Sequence, residues 1–247
     1  MLADDTNTCS QTLAANGFVA AEDEAAELID AARDDSERLR TLLERRLTGE
    51  PLAWIVGSAP FCELRVRVDP GVYVPRPQTE VLAERATVLL PDDGVAIDVC
   101  TGSGAIAALL SVRRPGARVV ATDVDPRAVA CARRNGVDAV AGDLLAPVPA
   151  ELRGAVDVIV AVAPYVPRPD LGLLQRDTFT CEEPLAYDGG ADGLDLARRI
   201  AADAPAWRRP GGTLLLELGA DQATAFDGAA VLRDEDGDVR GVELRVP

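Results

Sequence analysis

The sequence predicts an α/β protein with a mainly parallel sheet flanked by helices, preceded by a small helical segment. Three observations carry this reading. From residue 95 onward, strand-like and helix-like patterns alternate, as they do when parallel strands are joined by crossover helices. The strand-like runs are predominantly apolar and β-branched, as at 156–162, which suits strands covered on both faces. Helix-initiating Pro126 and the glycines around position 103 fall at the joints between these runs.

Residues 1–20 are polar and carry no clear period, so they read as a loose lead-in. Between 22 and 47 the period is helical. Ala25, Leu28, Ile29 and Ala32 form one apolar stripe, and Leu39, Leu42, Leu43 and Arg46/Leu47 form another. Asp34, Asp35 and Glu37 mark the start of the second helix, and Thr48-Gly49-Glu50-Pro51 ends it. The result is a pair of short antiparallel helices over residues 1–50. Residues 51–80 read as a linker. Within it, 64–68 alternates with period two, as a strand or hairpin arm does, and Val74-Pro75-Arg76-Pro77-Gln78-Thr79-Glu80 is a rigid loop whose prolines exclude a helix. A helix follows at about 79–90.

The remaining 81–247 form the α/β domain. A strand at 95–100 leads through a glycine-rich turn to a helix ending near 112. Strands at 118–122, 139–141, 156–162 and 212–218 follow, with helices from Pro126 and at about 193–204. A terminal hairpin pairs 229–233 with 241–246.

Composition removes whole classes of chemistry. The 247 residues are 48% hydrophobic, enough for a core of one large domain with an appendage. There is no His, and all 25 basic residues are Arg. A Ser-His-Asp triad, a His-bound zinc, a Lys Schiff base and a P-loop Lys are therefore excluded. The net charge of −16 argues against general nucleic-acid binding, which depends on neutralising phosphates. Five scattered cysteines without a CxxC pair predict no metal site and a reduced, cytoplasmic setting. No stretch resembles a signal peptide, and none reaches the ~18 apolar residues of a membrane span, so no membrane partner is expected.

The chemistry concentrates at the ends of the predicted strands. Asp98-Val99-Cys100-Thr101-Gly102-Ser103-Gly104-Ala105 lies between a strand and a helix, where glycines permit a sharp turn and the helix start presents free N–H groups to a ligand. Asp123 ends the next strand, placed to accept both hydroxyls of a ribose, with Asp125 the better helix cap. Gly142-Asp143 ends the third strand, beside an adenine. The candidate cofactor residues are Asp98, Cys100, Thr101, Gly102, Gly104, Asp123, Val124, Asp143 and Leu144. Gly102, Gly104 and Ala107 also satisfy the dinucleotide fingerprint, so an NAD-dependent oxidoreductase and an S-adenosylmethionine enzyme both fit the loop. Proton-moving dehydrogenases mostly need His or Lys. Methyl transfer needs mainly alignment and exclusion of water, which favours S-adenosylmethionine as cofactor.

From about Glu50 to Gln222 the chain resembles the protein-(glutamine-N5) methyltransferases of the HemK/PrmC type. Glu50-Pro51-Leu52-Ala53-Trp54-Ile55-Val56-Gly57 resembles that family's interdomain segment, and residues 74–80 its I-P-R-P-E-T-E loop. Residues 98–104 resemble its D-L-G-T-G-S-G, with Cys100 in the first Gly place. Glu183-Pro184-Leu185-Ala186 with the run from Asp188 to Asp195 resembles its E-P-x-x-A-L-x-G-G-x-D-G-L-D stretch, and Pro210–Gly219 resembles a further one. The resemblance implies a Rossmann-like class I S-adenosylmethionine-dependent methyltransferase with a seven-stranded sheet, transferring methyl to an N or O acceptor.

The substrate motif departs from the family. Where the family has Asn-Pro-Pro-Tyr, and a related branch of unassigned substrate has Asn-Ala-Pro-Tyr, this chain has Val162-Ala163-Pro164-Tyr165. The resemblance assigns these four to the catalytic turn, with the Ala163 carbonyl and Tyr165 at the acceptor. Arg76 and Pro77 join Tyr165 as candidate substrate contacts. Val162 cannot accept a hydrogen bond from an amide. Three readings follow: an acceptor more nucleophilic than an amide, including a small molecule; a slower protein-glutamine transfer; or a non-catalytic cofactor-binding module. The N-terminal segment is shorter than the family's helical domain, which fits a substrate other than a release factor. Trp54 reads as a packing residue, Cys100 as a small buried one, and Glu217 as either a solvated strand end or a site residue.

Overall fold

The computed structural model describes residues 2–173 and 186–245, with side chains from residue 7 onward. At the N-terminus, helices α1 (Leu2–Ala15), α2 (Ala21–Ala32) and α3 (Ser36–Leu47) pack around Cys9, Leu13, Ala25, Leu28 and Leu42. The expected loose lead-in is thus a helix, and the expected pair is a trio. Asp35 caps α3 by accepting from the Arg38 N–H at 3.0 Å. A short α4 (Leu52–Val56) turns one face to this cluster through Ile55. Its Ala53 and Trp54 pack the other way, against Ala59 and Val68 of the following hairpin. Trp54 lies buried, its Nε1 donating to the Val72 carbonyl at 2.9 Å.

One buried ion pair ties the helices together. Arg46 donates from Nε and Nη2 to Glu24 at 2.6 and 3.0 Å, its side chain only 6% exposed, and lies over the Phe18 ring. Breaking such a pair leaves a charge uncompensated in the interior, which costs about 3–5 kcal/mol. Arg46→Ala is therefore expected to lower the urea-unfolding free energy by roughly that amount. A loss below about 1 kcal/mol, the scale of an exposed pair, would contradict it.

Strands β1 (Ser58–Phe61) and β2 (Leu64–Arg67) form the antiparallel hairpin. Pro77–Thr79 make a 3₁₀ turn into α5 (Glu80–Leu89). The sheet comprises β3 (Val95–Val99), β4 (Arg118–Asp123), β5 (Asp138–Ala141), β6 (Val156–Ala161), β7 (Arg208–Glu217), β8 (Ala230–Arg233) and β9 (Val239–Arg245). Helices α6 (Ala105–Arg113), α7 (Pro126–Arg134), α8 (Asp195–Asp203) and α9 (Ala220–Ala223) connect them. The seven strands run in the order β5-β4-β3-β6-β7-β9-β8, parallel except for β9, which is antiparallel to both of its neighbours. Every residue of β6 is buried, which explains its predominantly apolar run; its one charged residue, Asp157, accepts from the Val95 N–H at 2.8 Å and pairs with Arg209.

This order places a site. From β3 the chain moves outward to β4 and β5, then returns to the opposite side of β3 as β6. Ligands bind outside the carboxyl ends of strands at such a reversal. The register pairs Val99 with both Thr122 and Ala161, and Asp123 with Ala141. Cys100, Asp123, Gly142 and Val162 therefore emerge together at one end of the sheet.

Candidate active site

A cavity of about 290 Å³ opens at that end. Asp98, Cys100, Thr101, Gly102, Asp123, Val124, Asp143 and Leu144 all line it. Gly104 does not. A Cβ on Gly104, whose φ is +83°, would lie 2.8 Å from the Ala132 Cβ, so this glycine lets α7 approach the loop.

The glycine loop is held from below. Asp98 is 2% exposed and accepts from Thr101 Oγ1 at 2.5 Å and from the Ala107 N–H at 3.2 Å. Burial pushes its carboxyl up to about 7, against the pull of these two donors. Asp123 accepts from the Gly102 N–H at 2.8 Å through one oxygen and from the Asp125 N–H at 2.9 Å through the other. Its carboxylate is thereby fixed in orientation, while burial raises its pKa. Asp125 caps α7 by accepting from the Arg127 N–H at 2.8 Å, as expected. Cys100 adopts a left-handed backbone with φ +58°, a conformation that favours the glycine the family carries there. Its thiol is pushed well above the ordinary range by burial and by the neighbouring carboxylates, so it is no nucleophile.

Two wall residues were not visible in the sequence. Arg199, on α8, donates from Nη2 to Asp143 at 2.6 Å, and Leu196 stands beside it. Tyr73 and Thr79 close the opposite side.

A second cavity, of about 430 Å³, adjoins the first. Arg76, Pro77, Val162, Ala163, Pro164 and Tyr165, all expected at the acceptor, line it together with Gln78 and Tyr187. Tyr73, Val162, Pro164 and Ala186 line both cavities, so the two meet at the Val162–Pro164 turn. Among the described residues, no hydrogen bond reaches the Ala163 carbonyl. Arg76 lies over the Tyr73 ring at 5.0 Å, and Glu80 accepts from the Cys62 N–H at 2.9 Å.

The 188–195 loop seats this turn. Gln222 donates from Nε2 to the Tyr165 carbonyl at 2.6 Å, and the Gly189 N–H donates to the Val166 carbonyl at 2.9 Å. A Cβ on Gly193 would fall 2.1 Å from the Tyr165 carbonyl oxygen, so only glycine admits this approach. Glu183, Pro184 and Leu185 of the resembling stretch lie outside the described residues.

Glu217, at the end of β7, is buried beneath the acceptor turn rather than being a solvated strand end. It is 4% exposed, and its Oε1 accepts from the Tyr165 hydroxyl at 3.0 Å. Glu217 Oε2 and the nearby Thr79 Oγ1 are buried without a regular hydrogen bond. Burial raises the Glu217 pKa, opposed by Thr79, Tyr165 and, more distantly, Arg240. Away from the site, the ligand atoms of Cys62, Glu63 and Glu84 cluster within 4.8 Å, but Arg113 pairs with both carboxylates.

A seven-stranded sheet with one antiparallel strand, a glycine loop after β3 and an acidic residue after β4 define a class I S-adenosylmethionine-dependent methyltransferase fold. A methyltransferase from Pyrococcus furiosus shares it, with a TM-score of 0.52 at 20% identity over 85% of this chain and 98% of that one. Residues 63–165 match the methyltransferase small domain. The release factor glutamine methyltransferase of Cereibacter sphaeroides is 37% identical over 85% of this chain and 80% of its own length. That of Geobacter sulfurreducens is 40% identical over 74% of this chain. The match spans 66% of the Geobacter protein, just under two thirds. The chain belongs to the release factor glutamine methyltransferase family, which sets the dinucleotide alternative aside.

Proposed function

We propose that this protein transfers the methyl group of S-adenosylmethionine to the side-chain amide nitrogen of a glutamine in a protein. One observation carries the reading: a cavity suited to an adenosyl group meets an acceptor cavity at the Val162–Tyr165 turn, where no described residue donates to the Ala163 carbonyl.

The residues fit the donor. Asp123 gives the first cavity a carboxylate beside the glycine loop, suited to a ligand bearing sulfonium and ammonium charges, while Asp143 is paired with Arg199. Each Asp123 oxygen retains a lone pair for a ribose hydroxyl after taking its backbone N–H. Val124, 55% exposed at the cavity edge, offers apolar surface that a bound nucleoside would cover. The Gly102 loop would hold the methionine end and Asp143 the adenine edge. When bound, S-adenosylmethionine supplies an electrophilic methyl group. The protein's contribution is alignment: the Ala163 carbonyl accepts one amide N–H, and the apolar turn excludes water. Val162 itself offers no acceptor for the other N–H, so transfer is slow but retained.

The relatives are named for release factors, which makes a bacterial release factor the first substrate to test. Incubation with tritiated S-adenosylmethionine is expected to label it, with mass spectrometry placing one methyl on a glutamine. Label found only in small metabolites of a cell extract would overturn the proposal. A reducing, cytoplasmic setting is part of the same reading, supported by the free thiols of Cys9, Cys62, Cys100 and Cys131.

A further inference from the structure

Methylating an amide requires its nitrogen to shed a proton. The lone pair is delocalised into the carbonyl, and an amide alkylated on nitrogen before losing a proton is a high-energy species. A base that takes the N–H proton as the new bond forms lowers that barrier. This chain has neither His nor Lys. Among the described residues lining the acceptor cavity there is no carboxylate. One carboxylate nevertheless reaches the cavity through another group. Tyr165 lines the cavity, and its hydroxyl donates to Glu217 Oε1 at 3.0 Å.

We propose that Tyr165 and Glu217 form the proton exit of the acceptor site. The Tyr165 oxygen accepts the amide N–H that Val162 leaves unheld. As the N–CH₃ bond forms and the donor's C–S bond breaks, with its electron pair staying on sulfur, the N–H bond breaks. That proton passes to the Tyr165 oxygen, and the phenolic proton passes to Glu217. Glu217 then releases one proton to water, and the products are an N-methyl amide and a neutral thioether.

The surroundings suit this role. Glu217 is almost fully buried, and its Oε2 lacks a regular hydrogen bond, so protonation eases the cost of holding the charge there. The direction of its pKa agrees, raised by burial. Burial and the Glu217 charge hold the Tyr165 hydroxyl protonated at rest. The groups facing the pair are Tyr73, Gln78 and Thr79, with Arg240 from β9 acting at longer range. Arg240 is itself paired with Asp234 and Asp238. In this arrangement Tyr165 touches the substrate, and Glu217 acts through it.

The proposal rests on the glutamine reading, and its test separates the two. With saturating S-adenosylmethionine and a release factor as acceptor, wild-type kcat should fall on the acid side as Glu217 takes a proton, with a midpoint above the ordinary carboxylate range. Glu217→Gln, which preserves shape and one acceptor, should lower kcat by about 10²-fold and flatten that acid limb, with calorimetric affinity for S-adenosylmethionine unchanged. Tyr165→Phe should do the same. In the ligand-free protein, the Tyr165 ring-carbon (¹³Cζ) resonance, assigned by its absence from Tyr165→Phe, should shift with the Glu217 titration and lose that shift in Glu217→Gln. An acid limb that survives in Glu217→Gln overturns the relay, whatever the rate. A Tyr165 resonance insensitive to Glu217 overturns it as well. Wild-type enzyme that labels no glutamine overturns the functional reading and the relay together.

Discussion

Asp123→Ala is expected to weaken S-adenosylmethionine binding by about 10²- to 10⁴-fold in isothermal calorimetry. The size follows from two hydrogen bonds to a charged acceptor, each worth about 1.5–3 kcal/mol. The geometry argues for the upper part of that range. Asp123 is oriented by the Gly102 and Asp125 N–H groups, so its free lone pairs point in fixed directions before any ligand arrives. Removing it also strands both N–H donors and loosens the loop. Asp123→Asn should fall between, because its amide keeps one acceptor oxygen and turns a donor toward one of those N–H groups. The pH dependence has a definite sign. Burial raises the Asp123 pKa, and the protonated acid is a poorer acceptor. Affinity is therefore full above that raised pKa and declines as pH falls through it, a decline absent from Asp123→Ala. Wild-type-like affinity in Asp123→Ala would remove the ribose from this residue.

The strands were readable because they are buried on both faces. A short β-branched run such as β6, apolar but for Asp157, suits a strand covered on both faces. α1 was hidden because its described buried side amounts to Cys9 and Leu13, four residues apart among polar neighbours. α4 was hidden by its length of five residues. At the site, Asp123 and the 162–165 turn were legible because strand ends after a glycine loop are few. Gly104 was not. Its reason is Ala132, a methyl group brought in by α7, and a G-x-G-x-x-A spacing cannot distinguish that contact from a ligand. Arg199 was missed for a similar reason, since its helix meets Asp143 only through the fold. Glu217 stayed ambiguous until the sheet order put β7 between β6 and β9, making its end an interior position.

The acceptor turn carries the other large effect. Val162→Asn is expected to raise glutamine methylation by about 10²-fold, the lower end of the 10²–10³ that a single positioned polar contact contributes at a reacting centre. Val162 stands where the donor and acceptor cavities meet, so an Asn oxygen there would face the amide beside the Ala163 carbonyl. Two acceptors on the two N–H groups orient the nitrogen and favour its pyramidal form. Val162 is half-buried, so an Asn amide can be accommodated there while Gln222 and Gly193 hold the turn in shape. The gain stays at the lower end because the new oxygen competes with Tyr165 for the same N–H. For that reason the acid limb set by Glu217 should shrink as the rate rises, and Val162→Asn combined with Glu217→Gln should lose less than Glu217→Gln alone. Single-turnover rates on a release factor, measured across pH for the four proteins, decide this. An unchanged or lower rate in Val162→Asn, with S-adenosylmethionine binding intact, would mean that the acceptor this cavity holds is not an amide.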